Sequence, residues 1–453
     1  MTPQFRQYIP IISVITSVVL TVLDGNIVNI ALPTLTTEFQ IEPNTAIWIV
    51  NAYQIAIMMF LLIFAIIGER AGYRKVFLAG IALFTTSSAL CALSPNFPAL
   101  VASRILQGIG AACIMSVSVA LVRLIYPPKV LGRGLGLNAM AVAVSAAAGP
   151  SIAGIILSVT TWHWLFAINI PIGIFAFISG YKLLPRNKEY NKEKISLLSC
   201  IGNALTFGLM ILALEGFAHN EAPVLIVAVF AALLLVGFFF IKNQVKSESP
   251  ILPIDLLKIP IFSLSVTTSI CSYTSQMLAI VAFPFLMEDV MHFPPVEVGI
   301  LATPWPLASM VAAPIAGRLV EKIHPGILGA IGMGLFASGA ILVYLLPENA
   351  THIDILWRIM LCGAGFGLFQ TPNNLTIVAS APFKRSGAAS GMLGMARLVG
   401  QTIGTTAVAI VFAHIHHTEG SQICFIVASI IAIVAGISSL SRLKQGFNPR
   451  QAG

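Results

Sequence analysis

Charge is scarce in this sequence: 9% of its 453 residues are Asp, Glu, Lys or Arg, and the acids number only 17. A water-soluble domain carries about 25% charged residues. Together with a hydrophobic content of 57% and a mean hydropathy of +0.92, the shortage excludes a soluble fold and places the chain in lipid. Cysteine is sparse as well. Cys91, Cys113, Cys200, Cys271, Cys362 and Cys424 stand in or beside apolar runs with no C-x-x-C pair, so neither a disulfide framework nor a zinc site is supported. Sustained period-two alternation is missing, which excludes a membrane barrel. Within the apolar runs there is no Ser/His/Asp set, paired carboxylate or metal-ligand cluster, which argues against an integral-membrane enzyme. No ring of like charge or filter sequence points to a channel either. His414, His416 and His417 lack a carboxylate or cysteine at ligand spacing and read as a solvated loop. No metal or other cofactor is expected.

What the sequence does have is apolar runs of about 20 residues, the length that crosses a hydrocarbon core of about 30 Å. Fourteen such runs recur, from Ile9–Pro33 to Ile423–Leu440, so the predicted fold is an all-α integral membrane protein with 14 transmembrane helices. The first run is followed by no A-x-A-like cleavage site and reads as a retained helix. Of the 25 Lys and Arg residues, 22 lie before the first run, in every second connection, or in the tail. The alternate connections carry Glu38, Glu42, Glu221, Asp289, Glu297, Glu348 and Glu419 and no Lys or Arg. By the positive-inside rule both termini are cytoplasmic, and the net charge of +8 serves topology rather than nucleic acid.

Polar connections at Pro185 to Lys194 and Lys242 to Pro260 divide the runs as six, two and six. The expected organisation is an N-terminal six-helix bundle over 1–185, a two-helix insertion and linker over 186–258, and a C-terminal six-helix bundle over 259–453. The two bundles echo one another, a transporter signature. Gly68, Glu69, Arg70 and Gly72 are echoed by Gly317, Arg318, Glu321 and Lys322. Arg104, Gly108 and Gly110 are echoed by Arg358, Gly363 and Gly365, and Gly149 and Gly154 by Gly400 and Gly404.

Asp24 is the only charged side chain between Ile9 and Pro33. A charge at the centre of a membrane helix costs roughly 2.5–3.5 kcal/mol on insertion scales, so it is expected to face protein or water and to act there. Arg104 lies at a matching depth in the fourth run, both roughly 10–14 Å from the outer surface at about 1.5 Å per residue. The two can pair. The pair reads either as a helix lock or as a proton site whose carboxyl changes affinity as its surroundings open and close. Candidates for substrate contact are the polar and aromatic residues inside the runs: Asn51, Tyr53, Gln54, Tyr273, Gln276, Trp305, Gln370, Asn373, Asn374 and Arg397. Each has a packing alternative. Glu215 and Glu288 sit near outward run ends and read as interfacial.

The ordered motifs resemble the major facilitator superfamily, and within it the fourteen-span drug:proton antiporters, over essentially the full length. Leu23, Asp24, Ile27, Val28, Asn29, Ala31, Leu32 and Pro33 match L-D-x-x-I-V-N-x-A-L-P. Arg70, Gly72 and Arg74 match part of G-x-L-x-D-R-x-G-R-R/K, with departures at Ala65, Ile67, Glu69 and Tyr73. Arg104, Gln107, Gly108, Gly110, Ala111 and Ala112 match R-x-x-Q-G-x-G-A-A, and Gly149, Pro150 and Gly154 resemble the antiporter motif G-P-x-x-G-G. The Trp162, Trp164, Phe166, Asn169, Pro171 and Gly173 pattern is similar to this group too. The resemblance implies two pseudo-symmetric six-helix bundles rocking around a central site. It also implies a gating motif at Glu69, Arg70, Gly72 and Arg74, copied in part at Gly317 and Glu321, and export in exchange for protons through Asp24 and Arg104. The expected partners are protons, the bilayer and a small lipophilic substrate, cations among the candidates, with no nucleic acid. The protein is expected to be a monomer in a bacterial inner (cytoplasmic) membrane. The rival is a proton-coupled uptake symporter for a small metabolite, against which Gly149-Pro150 argues.

Overall fold

The computed structural model describes residues 9–41, 43–46, 48–186, 196–218, 223–246, 250–347, 350–415 and 417–445. These form helices and connecting turns, with no strand among the described residues. Among the described residues, fourteen helices, the sixth and tenth of them extended at their start by a short helix, make spans long and apolar enough to cross a membrane. They are α1 (Ile11–Phe39), α2 (Trp48–Ala71), α3 (Tyr73–Ala92), α4 (Phe97–Ile125), α5 (Leu131–Val159), α6 (Asn169–Leu183), α7 (Leu197–Ala218), α8 (Pro223–Val245), α9 (Pro260–Phe285), α10 (Pro304–Leu319), α11 (Pro325–Tyr344), α12 (His352–Ser380), α13 (Ser386–His414) and α14 (His417–Ser441). Short helices precede α6 (His163–Ala167), α9 (Ile254–Leu257) and α10 (Pro295–Ala302).

Termination follows local chemistry. Asn96 caps α4 by accepting from the Ala99 amide at 3.0 Å, and Thr351 and Asp354 form a capping box at α12. The segment that carries the expected gating motif is hardly a loop. Glu69 and Arg70 still belong to α2, Arg74 belongs to α3, and the reversal is made by Gly72 alone at φ 103°. Only glycine adopts that backbone cheaply.

The packing repeats at an offset of eight helices. α3 packs on α4 as α11 packs on α12, α2 on α4 as α10 on α12, and α1 on α5 as α9 on α13; α6 lies against α1 and α3 as α14 lies against α9 and α11. The repeat reaches single glycines. A Cβ on Gly80 would stand 2.9 Å from the Gly110 carbonyl oxygen, and one on Gly332 would stand 2.6 Å from the Gly365 oxygen. Close backbone approach through small residues is how helices associate where lipid supplies no hydrophobic drive between them. α7 packs on α8, α2 and α13, bridging the halves, while Leu234, Leu235, Phe238 and Phe239 of α8 are exposed, as a lipid-facing helix requires.

The α2–α3, α4–α5 and α12–α13 turns mark what we call the basic end, with Arg123, Arg133, Lys384 and Arg385 clustered there. There the halves touch. Gly132 and Gly136 of α5 lie against Gly317, Ala313 and Pro314 of α10, and Gly387, Gly391 and Gly394 of α13 lie against Ala65, Leu62 and Leu61 of α2. Toward the other end contact is lost: a Cβ on Gly154 would meet nothing within 4 Å, and Ile155 and Val159 beyond it are exposed. The halves therefore form a V, closed at the basic end.

Candidate functional site

Asp24 is buried in α1 and its carboxylate is fully engaged. Arg104 donates Nη1 to Oδ2 at 2.6 Å, while Gln107 Nε2 and Asn169 Nδ2 donate to Oδ1 at 2.9 and 2.7 Å. Arg104, with no exposed surface, also donates Nε to the Ile49 carbonyl at 3.1 Å and Nη1 to Gln107 Oε1 at 2.6 Å, and lies 4.2 Å over the Tyr53 ring. Gln107 passes the network on by donating to Ser88 Oγ at 2.8 Å. Five helices, α1 to α4 and α6, thus converge on one carboxylate. An ion pair this deep is held by the surrounding hydrogen bonds, because Coulomb attraction alone seldom repays the desolvation of both charges. The depth match between Asp24 and Arg104 becomes direct contact. Gln107 and Asn169 carried motif identity in the sequence but no assigned role; their spacing to Asp24 exists only in three dimensions.

A central cavity lies where the halves meet, lined from one side by Val18, Thr21, Met115 and Asn138 and from the other by Tyr273, Gln370, Asn374, Ser390 and Arg397. Its volume of about 50 Å³ holds a water or two rather than a cargo, so this is the closed floor of the V. Gln370 donates to the Tyr273 hydroxyl at 2.7 Å. Arg397 is the only formally charged residue of the lining. Thr21, one helical turn before Asp24, joins the two zones: its carbonyl accepts the Tyr53 hydroxyl at 3.2 Å, and Tyr53 is the ring under Arg104.

Of the substrate-contact candidates, Tyr273, Gln370, Asn374 and Arg397 line this cavity, and Tyr53 belongs to the Asp24 site. The others do not line it. Asn373 is one position off the Gln370/Asn374 face, points to α9 and donates to the Ser265 carbonyl at 3.3 Å. Trp305 is buried against Phe336 in the second half's core. Asn51 and Gln276 are half-buried elsewhere, and Gln54 is exposed. Gly149 approaches α1 at Asn26, whereas Gly154 is open. Pro150 lies within α5. His416 lies outside the described residues.

The basic end is latched by charge across the halves. Glu69, buried at the end of α2, accepts from Arg385 Nη1 at 3.0 Å and from the Ala388 amide at 2.7 Å, and the Gly387 amide donates to the Tyr73 hydroxyl at 2.9 Å. These are orphan amides of the first turn of α13, so one half caps a helix of the other. Tyr73, a departure from the motif, is thereby part of the latch. Arg385 is also gripped by both oxygens of Asp255 at 2.9 Å each, which ties in the segment before α9. Arg123 donates to the Ala381 carbonyl and Ser386, and Arg133 makes a two-pronged bridge to Glu321 at 2.6 and 2.9 Å. Arg74 donates to the Tyr181 carbonyl, holding α3 to α6 within one half. In sequence, Arg123 and Arg385 were merely basic loop residues, and nothing in one dimension sets Glu69 beside residue 385.

Repeated halves, a buried acid and a central cavity between them define a membrane carrier. A profile of the Major Facilitator Superfamily matches residues 14–405 and 265–446, and the chain belongs to that family. It is 48% identical to the uncharacterized transporter YebQ of Escherichia coli (strain K12), over 98% of this chain and 97% of that one. It is 29% identical to the riboflavin transporter RibZ of Clostridioides difficile, over 90% and 89%. It is 27% identical to the multidrug efflux pump LfrA of Mycolicibacterium smegmatis, over 89% and 80%. The fold is also that of the human organic anion transporter MFSD10, with a TM-score of 0.69 at 15% identity, covering 97% of this chain and 100% of that one.

Proposed function

We propose that this transporter is a proton-coupled antiporter that exports small lipophilic compounds across a bacterial cytoplasmic membrane by alternating access, with both termini and the basic end inside. On that orientation the V opens outward. The observation that carries the reading is Asp24: a titratable carboxyl, buried in lipid-embedded protein, joined through Thr21 and Tyr53 to the cavity between two halves. Reclosing the outer side would change its solvation, and a carboxyl whose solvation changes loads a proton on one face and releases it on the other. The likeness to a multidrug efflux pump supports export. The likeness to a riboflavin transporter keeps a single-metabolite cargo as a second reading. A test is a panel of dyes, drugs and vitamins in proteoliposomes with an imposed pH gradient. Accumulation of panel members into acid-interior vesicles supports antiport. Accumulation only when substrate and protons move in the same direction would establish the symporter instead.

A further inference from the structure

We infer that the cargo is an organic anion whose acidic group is held by Arg397; this rests on the carrier reading above. The guanidinium has five donors and, among the described residues, its hydrogen bond is to the Met115 sulfur at 3.9 Å, a weak acceptor, while Nε is buried with no partner. Arg358 and Arg442 also have buried nitrogens without a partner among the described residues, but neither lines the cavity, and the other interior arginines are paired. Arg104 is neutralised by Asp24, and Arg385 by Glu69 and Asp255. An arginine left without a counter-charge at the floor of a cleft, where desolvation is costly, has the character of a binding group awaiting its anion.

The neighbours fit the same chemistry. The Tyr273 hydroxyl already accepts from Gln370, so its own proton is free to donate, and the Ser390 hydroxyl is buried with no partner among the described residues. Val18, Val22, Val119, Val142 and Leu393 supply apolar wall for an aromatic or aliphatic body. A cationic cargo finds no counterpart: no acid among the described residues lines the cavity, and both oxygens of Asp24 are occupied by Arg104, Gln107 and Asn169. A planar carboxylate matches the guanidinium fork in a two-pronged contact. Arg397 also lies within electrostatic reach of Tyr53, the ring beneath Arg104, so neutralising it on cargo binding is felt next to the proton site.

The test is equilibrium binding in lipid nanodiscs without any gradient, read by fluorescence anisotropy after subtracting empty nanodiscs. Two xanthene dyes of opposite charge serve as probes, fluorescein and rhodamine 6G. The expected result is saturable binding of fluorescein, tighter than rhodamine 6G by about tenfold or more. Arg397→Gln should abolish that preference, and Arg397→Lys should keep part of it. Tighter binding of rhodamine 6G, no saturable binding of fluorescein, or an Arg397→Gln variant with unchanged fluorescein affinity would overturn the inference. The wild-type preference decides the matter even if Arg397→Gln does not fold. Because no proton gradient is applied, failure here leaves proton coupling standing, and failure of coupling leaves this result standing.

Discussion

Asp24 and Arg104 are each more expensive alone than together. Removing one partner from a buried ion pair costs about 3–5 kcal/mol, since the survivor stays buried and charged. Asp24→Asn and Arg104→Gln should therefore each lower the thermal midpoint in detergent, and the double variant should recover part of the loss; additive losses would contradict a direct pair. Arg442, directly after α14, is the opposite case. It is 1% exposed, Nε, Nη1 and Nη2 have no partner among the described residues, and burial pushes its guanidinium down to about 9. The folded state thus binds the proton more weakly than the unfolded chain does. The cost is fully present below pH 9 and fades as pH rises through the folded value toward the unfolded one. Arg442→Leu should raise the midpoint at neutral pH by an amount equivalent to about 1 kcal/mol or more, and a lower midpoint would show that the residue has a counter-ion in the membrane.

At the scale of helices, the glycines divide into those pressed against a neighbouring backbone and those with open space around them. A Cβ on Gly363 would fall against the Trp305 backbone at the α10–α12 crossing, so Gly363→Ala should cost about 3 kcal/mol or prevent folding, read from expression and melting. Gly154 meets nothing within 4 Å, so Gly154→Ala should leave stability unchanged. It should nevertheless slow transport several-fold if α5 packs there when the outer side closes; full activity would remove Gly154 from the mechanism. Helix count and the eightfold offset were legible because apolar length and glycine spacing are written along the chain. Asp24 and Arg104 could be paired because depth is a one-dimensional quantity in a membrane. The latch was not legible, since Glu69, Asp255 and Arg385 meet only after both halves fold. Helix phase was also hidden: it separates Asn374, which lines the cavity, from Asn373, which locks α9.

For the whole molecule, the alternating access proposed above would turn on few contacts. The latch at Glu69, Arg385 and Asp255, the Arg133–Glu321 bridge and the Gly132–Gly317 approach all favour closure of the basic end. Glu69→Gln combined with Gly317→Val should shift the population toward an open basic end. Spin labels on α2 and α13 near that end would report longer separations, and an unchanged distance distribution would contradict the latch. Whether Asp24 carries the proton is read by separating coupling from carriage in proteoliposomes. Wild type should both accumulate substrate against a pH gradient and exchange labelled for unlabelled substrate without one. Asp24→Asn should keep exchange and lose gradient-driven accumulation, while Asp24→Glu retains both. Gradient-driven accumulation by Asp24→Asn at the wild-type level would show that the proton is carried elsewhere.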